Sequence, residues 1–243
     1  MDSNQIQLLC QRGQDQLSRM EYLAAEASLA EAEQLAWTAR DFDALARLYM
    51  PLQEARRQRR QGCAEGRIRL DILAGGPNRQ PDARSVVQET GQGQILVGGW
   101  GSIHPALEAR RAQGELGLYV DVFLAAVYPG EAGRIVVIVP VRGAALPPPE
   151  PMATGELIRR LPAHSVAMFA AELPKGSMAH AQAWVMAMWR RLHAPYLAAA
   201  QAQADPIRRI EALRQAIVVD YACELAHQKI SDTARKLCAK GTS

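Results

Sequence analysis

Gly98, Gly99, Gly101 and Ser102 crowd the point where a short apolar run, Gln94 to Gly98, hands over to a helix-forming stretch, with His104 two residues further on. Backbone amides in such a turn converge at a helix N-terminus and could hold the phosphate of a small ligand or nucleotide. A tight turn that needs backbone freedom and binds nothing explains the same residues. The dinucleotide fingerprint asks for a third glycine where this chain has His104, and the Gly-Lys-Ser/Thr of a P-loop is missing. His104 and His164 would serve as general acid or base if a carboxylate such as Asp121 lay beside them, because imidazole titrates near neutral pH. No spacing brings them together.

His180, His193 and His227 fall in helical stretches without a His-Glu-x-x-His pattern, and Ser102 and Ser165 stand outside any Gly-x-Ser-x-Gly. The sequence therefore assigns no catalytic residue, no metal ligand and no cofactor. The other chemistry-bearing group is Arg56, Arg57, Arg59 and Arg60, with Arg47 upstream. On a helix Arg56 and Arg60 share a face and could grip acidic side chains or phosphate bidentately; Arg56, Arg57 and Arg60 are the candidate protein-binding residues. Placement near a helix C-terminus, or an intramolecular contact, explains the same run without a ligand.

The elements that position these groups follow from periodicity. Ser3 to about Gln61 is helical, in segments carrying Ile6, Leu9, Cys10, Gly13 and Leu17, then Tyr22, Ala25, Leu29, Ala32 and Ala36, then Leu45, Leu48, Tyr49 and Leu52 behind Asp41 as cap. Pro51 predicts a kink or break near Met50. Ile68, Leu70, Ile72 and Leu73 alternate with Arg67, Arg69 and Asp71 as a half-exposed strand should. A short helix within 81–90, a strand at 94–98, a helix from about Pro105 to Ala112 and the run Leu118–Tyr128 complete a strand–helix alternation. Pro129 to Gly133 then turns the chain into Arg134–Val141 as an antiparallel hairpin, both of whose runs are apolar enough to be covered on two faces. Leu146 to Pro151 is a linker or exposed loop. Ser165–Leu173 reads as a strand or an apolar helical turn, with strand preferred. The remainder is helical, capped at Ser177 and Asp205, with Pro195 kinking or ending one helix and Asp220-Tyr221 interrupting another.

The spacing of Gly13, Tyr22, Ala25, Leu29 and Ala32 resembles the small and large consensus positions of the tetratricopeptide repeat, over about one unit. Ala216 to Asp220 with Ala226 and His227 looks like a boundary of the same family, with Tyr221 where the family commonly has proline. The resemblance implies paired antiparallel helices that present a concave surface to peptides.

The fold class is accordingly α/β or α+β: a mixed sheet of about four to five strands covered by helices, with repeat-like helical pairs at both ends. Natural divisions fall at 1–62, 66–145, 146–175 and 176–243, or the whole forms one compact domain. With 49% apolar and 22% charged residues and a net charge of +3, the composition is globular and demands neither nucleic acid nor an anionic membrane as partner. Cys10, Cys63, Cys223 and Cys238 form no Cys-x-x-Cys pair and read as free thiols in a reducing compartment; with no signal-like N-terminus and no long apolar run, a cytoplasmic location is expected. The functional expectation is a non-catalytic adaptor or scaffold that binds protein. The competing one is a small-ligand- or nucleotide-binding domain, an enzyme included, built on the turn at 98–102.

Overall fold

The computed structural model describes residues 3–143, 145–175 and 177–241. Among these, the helices α1 (Ser3–Ser18), α2 (Tyr22–Ala39) and α3 (Phe42–Glu65) precede β1 (Arg67–Leu73), α4 (Ala83–Thr90), β2 (Gln92–Trp100), α5 (His104–Leu116), β3 (Tyr119–Tyr128) and β4 (Ile135–Ile138). The chain continues through α6 (Thr154–Arg160), β5 (Val166–Phe169), α7 (Met178–Gln201), α8 (Pro206–Val219) and α9 (Glu224–Gly241). This is a mixed α/β fold, a five-stranded sheet covered by helices with helical segments flanking it at both ends of the chain. The segment 165–173 divides between its two readings: β5 is a strand, and Ala170–Glu172 is a single 3-10 turn. The residues group into two compact units, 1–60 with 193–243 and 61–192, so the divisions fall inside α3 and α7.

The helical unit has one apolar core drawn from both chain ends. Ile6, Leu29, Ala32, Leu45, Leu48, Tyr49 and Leu52 pack in the same cluster as Ile210, Leu213, Ala216, Ala226 and Ile230. The caps act as their residue types require: Asp41 accepts from the Ala44 amide at 2.9 Å and Asp205 from Ile207 at 3.0 Å, with Pro206 in the first turn of α8. α3 runs through Pro51 without a break. An internal proline costs about 3 kcal/mol, and the neighbouring side chains outweigh it. Leu48, Tyr49, Leu52 and Ala55 are each at most 1% exposed, and burying each of the larger ones is worth about 1.5–3 kcal/mol. Pro195 lies within α7 in the same way.

In the sheet unit the strands follow chain order, β1-β2-β3-β4-β5. β1, β2 and β3 are parallel, joined through α4 and α5, and β3-β4-β5 are antiparallel. One face carries Ile95, Val97, Val120, Val122, Leu124, Ile135 and Val137 against Val87 of α4 and Ala106 and Ala109 of α5. The alternating residues face the other way, where Phe123 stacks on Trp189 of α7 at 4.2 Å between ring centroids and meets Trp184 edge-on. Two covered faces explain why β4 and, Asp121 apart, β3 are apolar.

β1 and β5 are the sheet edges. The β1–β2 register slips by one residue between Arg69 and Ile72, a bulge that places Asp71 out of the alternation. Simple alternation would put Ile72 on the same side as Ile68 and Leu70. The bulge instead turns Ile72 toward the α4/α5 core and brings Leu73 to the other face, against Gly98.

Candidate functional site

The glycine turn is built on internal hydrogen bonds. Trp100 donates its amide to Gln80 Oε1 (3.0 Å), Gly101 to the Val127 carbonyl (2.9 Å), Ser102 to the Gly99 carbonyl (3.4 Å) and His104 to Ser102 Oγ (3.1 Å). Gly101 adopts φ +58°, and a Cβ there would lie 2.6 Å from the Pro149 ring, so both the conformation and the contact demand glycine. Gly98 lies in the ladder between β1 and β3, its carbonyl accepting from Ala74. The His104 side chain is 70% exposed and stands 3.4 Å from Glu108, one turn on along α5. Asp121 is buried near the start of β3, across from Gln94, on the face opposite α5; His164 is an exposed turn residue with φ +66°. The sequence-predicted turn residues are thus brought together, with the four amides just named directed to partners within the sheet unit.

The arginine run holds the helical unit together. Arg56 donates to Glu26 (3.1 Å) and to His227 Nε2 (3.1 Å); Arg59 reaches the other Glu26 oxygen (2.9 Å). Arg60 is 7% exposed and donates to Asp220 at 2.8 Å, and both Arg59 and Arg60 lie over the Tyr221 ring. Arg57 is half exposed and forms a two-bond fork with Glu54, three residues back.

Asp220, which sequence reasoning treated as a helix interruption and part of a repeat-like boundary, is the hub of this network. Its second oxygen accepts from His193 Nδ1 at 2.8 Å. Burial works against a charge on His193, but the Asp220 carboxylate and contact with the Cys223 thiol outweigh it and raise its pKa to about 9. Burial alone would raise Asp220, yet Arg60 and His193 hold it below the usual carboxylate range. His227 has the opposite fate: burial and the adjacent Arg56 charge push it down to about 4. A thiol, an imidazolium and a carboxylate in a row is the arrangement of a nucleophilic site. Here Cys223 is 4% exposed and the row ties α7 to the loop between α8 and α9. Among the described residues no group of His, Cys, Asp and Glu is placed to hold a metal ion. No described helix is long and apolar enough to cross a membrane.

The feature with the geometry of a binding site lies along β1. A groove of about 580 Å³ is lined by Ile68, Leu70 and Leu73 on one side and by Leu173, Pro174, Met178 and Ala181 on the other. Its apolar floor exists because the bulge keeps Leu73 on that face. Asp71, Arg134 and Lys175 are exposed at its rim, and Arg134 donates to the Ala74 carbonyl just past the end of β1 (3.1 Å). Arg67 and Arg69 add positive charge to the same strand, Arg69 lying 3.5 Å from Glu89. The usable sequence signal was the polar alternation of β1, which marks an edge strand. That Leu173, Pro174, Met178 and Ala181 would wall it was not readable, because a hundred residues separate Leu73 from Leu173. No family model, curated protein or solved structure matches the chain.

Proposed function

We propose that this protein is a non-catalytic adaptor that captures an extended, acidic segment of a partner protein by adding it as a strand to β1. The observation that carries the reading is the groove beside the edge strand. An edge strand offers unpaired backbone donors and acceptors, and alternate side chains of an added strand would enter the apolar trough over Ile68, Leu70 and Leu73. Arg134 and Lys175 against Asp71 give the rim a net positive charge, which selects acidic residues and speeds encounter. The glycine turn supports the alternative ligand-binding reading less well, since its amides already have acceptors and Pro149 fills the space over Gly101.

The tetratricopeptide resemblance enters as support for an interaction role. The α1–α2 hairpin has Gly13 backed directly on Leu29, with Ala25, Leu29 and Ala32 fully buried, as close-packed repeat helices require. Docking through Arg56 or Arg60 would require breaking their pairs with Glu26 and Asp220, so the reading assigns recognition to the groove and leaves Arg57 as the surface member of the run.

Fluorescence anisotropy against an array of extended acidic and basic peptides tests it. Acidic peptides are expected to bind, and Arg134→Glu/Lys175→Glu and Met178→Glu to weaken them at least tenfold without changing Tm, because all three side chains are exposed. Arg57→Glu is expected to have no effect. Indifference to charge, or unaltered affinity in the groove variants, rejects the reading.

A further inference from the structure

A second cavity, in the helical unit, has a different chemistry from the groove. About 330 Å³ in volume, it is bounded by Ala200 and Gln201 at the end of α7, Arg209 and Leu213 of α8, and Lys229, Asp232, Thr233 and Lys236 of α9. Leu213 and Ala200 are at most 1% exposed and form an apolar floor. Lys229 and Lys236 are seven residues apart on α9, two turns, and so share a face.

The charges are unbalanced. Arg209 is anchored by two hydrogen bonds, from Nε and Nη2, to the Gln203 carbonyl, which holds its guanidinium beside the cavity. Asp232, the one carboxylate lining it among the described residues, is paired with Arg235 at 3.0 Å. Lys229 and Lys236 have no carboxylate partner among the described residues, and Thr233 Oγ1 is spent on the Lys229 carbonyl. Two turns apart, about 10 Å along the helix axis, Lys229 and Lys236 together with Arg209 leave the cavity with an excess of positive charge that favours a bound anion.

We infer that this cavity is a binding site for a small phosphorylated ligand with an apolar body: the phosphate meets Lys229, Lys236 and Arg209, and the body lies on Leu213 and Ala200. A dianion matches three cations with one already-paired carboxylate better than a single carboxylate ligand does. Lysine acts here as a mobile point charge and arginine as the fixed donor. The volume is at the lower end of the range for small-molecule pockets. This site is independent of the strand-capture reading and survives its failure.

Calorimetric titration of the full chain with phenyl phosphate, adenosine monophosphate, inorganic phosphate and benzyl alcohol tests the inference. At least one of the two organic phosphates is expected to bind saturably, at least tenfold tighter than inorganic phosphate, and benzyl alcohol not at all. Lys229→Met/Lys236→Met, which keeps the apolar stems, is expected to lose at least tenfold. The chain has four lysines, Lys175, Lys229, Lys236 and Lys240, so reductive ¹³C-methylation gives few resonances and a readout that needs no variant. The signals of Lys229 and Lys236 should move with the organic phosphate while that of Lys175 stays. No saturable binding at millimolar concentration, equal affinity for inorganic phosphate, or shifts confined to other lysines would overturn it.

Discussion

Two histidines of the helical unit titrate in opposite directions, and their hydrogen bonds say why. Arg56 can only donate, so His227 Nε2 accepts, and Nδ1–H is left to donate to the Cys223 carbonyl at 2.8 Å. His227 is therefore neutral in the fold, with its pKa pushed down to about 4. The stability it contributes is present above the unfolded value near 6.5 and is lost as pH falls toward 4, about 3 kcal/mol for a shift of this size. His193, raised to about 9 beside Asp220, does the reverse: its contribution is full below about 6.5 and is lost as pH rises through about 9. Stability from this pair should peak near pH 6.5. Urea unfolding from pH 4 to 9.5 is expected to show His227→Gln flattening the acid limb and His193→Gln the alkaline limb, and parallel curves for all three proteins would reject the assignment. The arginine run was legible as a set of bidentate donors, whereas its partners were not. Glu26, Asp220 and His227 lie 30 to 171 residues away, and no local pattern encodes such pairs.

At the level of elements, the residues that permit close approach were easier to read than those that bend the chain. Gly13 was picked out by its spacing to Tyr22, Ala25, Leu29 and Ala32, and in the fold a Cβ there would stand 2.5 Å from Leu29 Cγ. Alanine is the better helix former by about 1 kcal/mol, yet overpacking a filled site costs about 1–3 kcal/mol. Gly13→Ala is therefore expected to destabilise the wild type and, once Leu29→Ala has removed the obstruction, to stabilise. Chemical denaturation of the four-member cycle measures the change of sign; destabilisation of equal size in both backgrounds would show that the glycine serves another purpose. The β1 bulge had no comparable signature. Arg67 to Leu73 reads as plain alternation, and the extra residue at Asp71 is fixed by pairing with β2, a tertiary event. The groove depends on that bulge, so the most useful surface of the sheet was also the least visible.

For the whole molecule, the sheet was readable from hydrophobic runs because both faces are buried, and apolar residues occupy nearly every position of β3 and β4 and the centre of β2 at 95–97. The grouping of the helical ends was not readable, since amphipathic segments separated by the whole of 61–192 carry no mark of which core they join. In the fold they share one: Ser231 donates to the Ala46 carbonyl at 2.7 Å, and Arg214 forks onto Glu33 while lying over Trp37. A shared core should open as one cooperative body. Ile230 of α9 is fully buried within it, and Ile230→Ala is expected to cost about 2–5 kcal/mol. If the ends form a single unit, hydrogen exchange should accelerate in α2 and the first half of α3 as well as in α8 and α9, with β2 and β3 less affected. Acceleration limited to α8 and α9 would mean that each end has its own core, and the arginine ties would then be surface clasps between separate bodies. The distinction bears on function, because a single cooperative helical body holds the walls of the α7–α8–α9 cavity in fixed relation, as a site for a small ligand requires.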